Sequence, residues 1–187
     1  MKNRELLLAS ALILIGFIYR LIPFNIANVT PVAAMALLGG LYLNKKWLAF
    51  LVPMAALFAS DIILNNTVNR IFFQDRTGFI VFADYMMWTY AAFMITVLIG
   101  FALTQTKGMT KILVGGFTAS LLFFVLTNFG TWLTGGLYPK NFAGLSACFA
   151  AAIPFFRNTL IGNMFFVTIT VGAVELYRAR KSKLQMA

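Results

Sequence analysis

The stretch FIVFADYMMWTYAAFMITVLIGFAL, residues 79–103, decides what kind of protein this is. It carries one charge, Asp84, and no proline. As a helix rising about 1.5 Å per residue it is long enough to cross the ~30 Å hydrocarbon layer of a bilayer. The rest of the chain agrees. Its 187 residues are 61% hydrophobic and only 11% charged, with a mean hydropathy of +0.86. A soluble domain is charged at about a quarter of its positions, and one with this surface would aggregate, so lipid is the expected solvent.

Working outward from that stretch, apolar runs predict helices over 5–22, 31–43, 47–64, 79–103, 111–133 and 154–177. The reading is all-α: one polytopic membrane bundle of about six transmembrane helices, forming a single transmembrane domain over 1–187 with no room for a separate soluble domain. The second run is short and opens on Pro31, a residue tolerated in a first helical turn. Lys2 and Arg4 before an apolar run outline a signal peptide, but no A-x-A site follows and Tyr19-Arg20 ends the run, so an uncleaved first helix is expected.

Charge placement supplies an orientation. Of the 15 Lys and Arg residues, ten (Lys2, Arg4, Lys45, Lys46, Lys107, Lys111, Arg178, Arg180, Lys181, Lys183) fall on the side of the termini, and five (Arg20, Arg70, Arg76, Lys140, Arg157) on the other. That asymmetry predicts a bacterial inner-membrane protein with both termini cytoplasmic. The net charge of +10 forms no basic stripe, so no nucleic-acid partner is expected. Histidine is absent and Cys148 is the sole cysteine. This removes the commonest general base, His-dependent hydrolases, structural zinc and any intramolecular disulfide; no metal and no cofactor is expected. Cys148, among Ala147, Ala150, Ala151 and Ala152, reads as a small buried hydrophobe or as a thiolate for a soft metal centre.

The two sides differ in chemistry. Connections on the side of the termini are short, whereas those on the other side (23–30, 65–78 and 134–153) are long and rich in amides and aromatics, among them Asn25, Asn28, Asn65, Asn66 and Tyr138. Such loops are typical of ligand sites, and equally of a headgroup interface. Near the same ends lie Arg20, Asp61, Asp84 and Arg157, two charges of each sign at similar depth. Unpaired ions there are costly, so they are expected to pair, either to fix helix packing or to floor a polar cavity. Glu175 lies near the opposite end with Arg178 as an i,i+3 partner, and needs no other role.

The segment Thr127-Asn128-Phe129-Gly130-Thr131-Trp132 places an amide inside an apolar helix, where it must find a partner. Asn128 and Trp132 are four apart and share a face, and Asn158 follows Pro154 by the same interval. Two helices each presenting an amide beside aromatics suit a clamp on a flat polar molecule. The two amides also suit a bond to each other as interhelical glue.

With Pro31-Val32-Ala33-Ala34-Met35-Ala36-Leu37-Leu38-Gly39-Gly40, Ser60-Asp61, Tyr138-Pro139, Gly144-Leu145 and Pro154-Phe155-Phe156-Arg157-Asn158-Thr159, this layout resembles an uncharacterised bacterial membrane family close to the S components of energy-coupling-factor transporters. The resemblance implies a vitamin-like small molecule bound near the extracytoplasmic face, at positions corresponding to Asn25, Asn28, Asp61, Asp84, Asn128, Trp132, Tyr138, Arg157 and Asn158. It also implies an energising transmembrane and ATPase module docked on an Ala-x-x-x-Ala face of helix 1. Helix 1 carries Ala9, Ser10, Ala11 and Gly16 without that spacing, which fits a solitary transporter.

Three classes stand side by side: a binding and uptake protein, a structural or assembly protein of the membrane, and a membrane enzyme using Asp61 and Asp84 as acid and base. No nucleophile or phosphate-loop motif supports the third. A cavity lined by Asn128, Trp132 and Arg157 separates the first from the second.

Overall fold

A computed structural model describes residues 2–22, 29–43, 45–75 and 77–186. Its described residues form helices and connections without strands: α1 (Lys2–Arg20), α2 (Val32–Tyr42), α3 (Lys46–Asn66), a 3-10 turn (Val68–Phe72), α4 (Asp84–Ala102), α5 (Gly108–Thr134) and α6 (Phe142–Met186). Four of them, α3 to α6, are long and apolar enough to cross a membrane, while Ala9–Arg20 and Val32–Tyr42 are shorter apolar helices. The expectation of about six spans therefore resolves into four full-length helices and two shorter ones.

The short α2 is the axis of the bundle. Its 11 residues are all buried, although at about 17 Å it is roughly half a bilayer long. Around it pack Ala9 and Ile13 of α1, Ala49 and Leu57 of α3, Phe93 and Val97 of α4, and Val167, Val171 and Val174 of α6. The last three recur at i, i+4 and i+7, one helical stripe turned inward. Close approach needs small residues. A Cβ built on Gly40 would lie 2.8 Å from the Gly100 Cα and closer still to the Val97 carbonyl oxygen, so α2 and α4 meet backbone to backbone.

Three boundaries differ from the sequence reading, one of them the far end of α6, which runs to Met186 and not to 177. The segment 79–83 is not helical, with Ala83 extended, and α4 starts at Asp84. The Asp84 carboxylate therefore sits in a first helical turn, where the helix dipole favours it, and not within an apolar span. The run read as a loop over 134–153 is helical from Phe142, and α6 continues through Pro154. Neighbouring helices re-satisfy the backbone group that proline frees inside a membrane bundle. Cys148 and Phe149 accordingly lie on α6; Cys148 is 2% exposed, with its thiol 3.4 Å from the Asn128 carbonyl oxygen.

At the end of the bundle that carries Tyr42, one carboxylate gathers three donors. Glu175 Oε1 accepts from the Tyr42 hydroxyl at 2.7 Å and the Lys111 ammonium at 2.9 Å, with Arg178 Nη1 at 3.6 Å. Lys111 and Arg178 also lie over the Tyr42 ring, at 5.7 and 4.7 Å from its centre. Glu175 thus ties α2, α5 and α6 together, beyond the local partner the sequence assigned. Lys111 is 3% exposed and opens a π-helical turn, Lys111–Gly115, at the base of α5. The Lys111 side chain is 4% exposed and that of Glu175 is 27% exposed, so removing the acid strands the deeper charge. Glu175→Leu should therefore destabilise the bundle more than Lys111→Met, which we expect to cost about 1–2 kcal/mol. Thermal unfolding in detergent checks this order; equal losses would mean the deeper charge carries no special cost.

Candidate functional site

At the opposite end of the bundle lies a cavity of about 630 Å3 between α4, α5 and α6, with the end of α1, Thr30 and Phe73 completing its wall. The volume is that of a small-molecule pocket. Each long helix contributes one face at helical spacing. From α4 come Asp84, Tyr85, Trp88 and Thr89; from α5 come Thr127, Asn128, Thr131 and Thr134; from α6 come Ala152, Phe155, Phe156 and Thr159. Phe123 and Phe124 extend the α5 face downward, and Arg20 closes the α1 side.

Arg20 is held rather than free. Its Nη2 lies 2.7 Å from Asp61 Oδ1, and Asp61 Oδ2 accepts from the Tyr90 hydroxyl at 2.9 Å. Asp61 is 1% exposed, so the carboxylate is a buried counter-ion behind the wall. Arg20 Nη1 and Trp88 Nε1 are buried donors without a hydrogen-bond partner, covered by their neighbours and not presented at the cavity surface. The Trp88 indole packs directly on α5 at Gly130: a Cβ there would fall 2.6 Å from Cδ2 of that ring and nearer still to its Cγ and Cδ1. Phe129 packs edge-on against it at 5.6 Å. Glycine at 130 is what allows this indole to form part of the wall.

The polar groups of α5 and α6 spend their donors on their own helices. Thr127, Thr131, Thr134 and Thr159 each donate a hydroxyl proton to a carbonyl four residues back, at 2.6, 2.9, 2.8 and 3.1 Å. The Asn128 amide nitrogen donates to the Phe124 carbonyl at 2.7 Å. What the threonines have left to offer is acceptor oxygen, whereas Asn128 keeps both its amide oxygen and a second N–H. Tyr85 donates its hydroxyl proton to Asn65 Oδ1 at 2.8 Å.

Of the residues singled out from the sequence, Asp84 and Asn128 line this cavity, and Asp61 lies behind it through Arg20. Asn25 and Asn28 lie outside the described residues. Trp132, Tyr138, Arg157 and Asn158 are not in the wall. Trp132 instead fastens the connection after α5: its indole Nε1 donates to the Pro139 carbonyl at 2.8 Å, and Lys140 reaches back to the Trp132 and Gly135 carbonyls. The indole beside Asn128 therefore comes from α4, as Trp88. Arg157 is exposed on α6. The loop amides are also structural: Asn66 bonds the Ile80 backbone twice, at 2.8 Å each, holding the segment before α4. A buried amide does link α5 and α6, but it is Asn163, donating to Ser120 Oγ at 3.1 Å. The sequence reading passed over the threonines, although Thr127, Thr131 and Thr134 at i, i+4 and i+7 carry a readable signal: a polar stripe on an apolar helix.

Among the described residues no group of three His, Cys, Asp or Glu side chains is placed to hold a metal ion. Residues 1–185 match a family described as a family of unknown function, DUF6580. The chain belongs to that family. No curated protein and no solved structure matches it. For this member of DUF6580, then, function has to be read from the cavity itself.

Proposed function

We propose that this DUF6580 protein is an integral membrane protein that binds a small molecule in the cavity and mediates its uptake. The observation that carries the reading is the cavity: about 630 Å3, walled by aromatic rings and by convergent oxygen acceptors from three long helices. The cleft is open at one end of the bundle, so a small molecule can reach it from outside. Orientation follows from charge. Lys45, Lys46, Lys107, Lys111 and the basic end of α6 lie away from the cavity, so the positive-inside bias turns the cavity to the extracytoplasmic face of a bacterial inner membrane, with both termini cytoplasmic. The resemblance to S components of energy-coupling-factor transporters, proposed from the sequence, implies the same placement. The outward face of α1 bears Leu7, Leu14, Ile15 and Ile18, bulky residues where a small-residue docking face would be needed, which supports a transporter working without a shared energising module.

The test fills the cavity. Thr131→Trp puts an indole where a hydroxyl stands and should abolish both copurification of a small molecule after mild extraction and its uptake by cells, while the variant still elutes as a monodisperse particle. In the same cells Lys140→Cys should react with a membrane-impermeant maleimide from outside, since Cys148 is buried. Retained ligand and uptake in Thr131→Trp would overturn the reading, and protection of Cys at 140 until lysis would reverse the orientation.

A further inference from the structure

We propose that the ligand is an uncharged, flat heterocycle carrying an N–H donor beside an acceptor, as on the edge of a lactam ring. This rests on the binding reading above and adds a chemical class to it. The argument starts at Asn128, in the wall of the cavity. One of its amide protons goes to the Phe124 carbonyl. The other N–H and the amide oxygen have no partner among the described residues. A primary amide in that state is answered in full by a molecule with the same two functions side by side. Asparagine reads the donor and acceptor edge of adenine by the same logic. The rest of the wall is mixed in the same way. The hydroxyls of Thr127, Thr131 and Thr134 donate to their own helix and keep acceptor lone pairs. Across the cavity the spare groups are donors, since Arg20 Nη1 and Trp88 Nε1 lie behind the surface without partners. A ligand with donors alone or acceptors alone matches only one side.

Neutrality follows from how the charges of the wall are already used. The Arg20 guanidinium is matched by Asp61 at 2.7 Å, a pair with no net charge. Asp84 has an interaction of its own within the protein. An ionic ligand would give up hydration on entering and find no counter-charge waiting for it. Flatness follows from the rings around Asn128. Phe124 lies one helical turn away on α5, and its ring packs on that of Phe156 from α6 with centres 4.7 Å apart. Both belong to the wall, as do Phe155 and Trp88. A molecule that reaches the Asn128 amide therefore lies against aromatic surface, where a planar ring buries the most area.

Probes of one bicyclic shape separate the possibilities: isocarbostyril, a neutral lactam; N-methylisocarbostyril, which lacks the donor; protonated 1-aminoisoquinoline; and 1-naphthoate. Each is offered to the purified full-length protein and followed by calorimetry. Isocarbostyril should bind about ten-fold or more tightly than its N-methyl derivative and more tightly than either ion. Asn128→Leu, checked for monodisperse elution, should bring the two lactams together, and Thr131→Trp should abolish binding of both. Either ion binding as well as isocarbostyril would overturn neutrality. Equal binding of the two lactams to wild type, or a gap that persists in Asn128→Leu, would overturn the donor and acceptor pairing at Asn128. In each of these cases the cavity remains a binding site. If no probe binds while wild-type protein releases a copurified molecule that Thr131→Trp lacks, the chemical class is overturned and the binding reading stands. If Thr131→Trp also behaves as wild type, both fall.

Discussion

Replacing Asp61 by Ala should cost about 3–5 kcal/mol and leave little folded protein, because the change strips the counter-ion from a buried guanidinium. Asp61 is 1% exposed and the Arg20 side chain 12% exposed, so water reaching Arg20 from the cavity offsets only part of the lost role. The single variant is thus a test of packing, and the double variant is the informative one. Arg20→Met combined with Asp61→Leu removes both charges and keeps much of the volume; it should recover most of the loss, since a buried ion pair seldom outperforms apolar side chains of similar size. Tyr90→Phe, which deletes only the hydroxyl donated to Asp61 at 2.9 Å, should cost about 1 kcal/mol. Thermal unfolding in detergent, with the monodisperse fraction as a second readout, measures all three. If Asp61→Ala unfolds within about 1 kcal/mol of wild type, well below the range expected for a stranded buried charge, the guanidinium has another way out and the pair is not what fixes α1 to α3.

The second large effect is expected where no charge is involved. Gly40→Leu should prevent α2 from seating, at a cost of about 3 kcal/mol or more. The first atom added would meet the Gly100 Cα at 2.8 Å and the Val97 carbonyl. Both are main-chain atoms, so no flexible side chain can give way. Because α2 is surrounded by α1, α3, α4 and α6, a shift there propagates to every neighbour. Gly172→Ala on α6 is the control: nothing lies within 4 Å of its added carbon, and the gain in helix propensity makes it neutral or stabilising by up to about 1 kcal/mol. Equal behaviour of the two variants would contradict the backbone contact between α2 and α4.

These particulars show how far the sequence could be read. Apolar length located α3, α4 and α5 to within a few residues, because a bilayer imposes a length that composition reveals. It placed α2 to within one residue at each end but did not reveal its burial, since an apolar run covered by protein and one covered by lipid have the same composition. It stopped α6 short at Pro154, since the rule that proline ends a helix comes from water, where freed backbone groups are readily solvated. At the cavity, Asp84 and Asn128 stood out as polar residues in apolar runs. Trp132 shares a face with Asn128 yet turns to the Pro139 carbonyl, while Trp88 enters the wall only because Gly130 sits across from it on another helix. Pairings of that kind depend on distant parts of the chain, and local spacing does not encode them. The threonine stripe on α5 was encoded, and a search for period rather than for charge would have exposed it.

The burial of α2 also bears on how the protein is made. At 11 residues it is too short to be recognised as a membrane span on its own, and it leaves the ribosome well before α6, whose Val167, Val171 and Val174 close one side of it. Until those valines arrive, α2 has to be carried in the bilayer between α1 and α3, with lipid standing in for its last neighbour. Biogenesis is therefore completed by the final helix: the innermost element is among the first synthesised and the last to be enclosed.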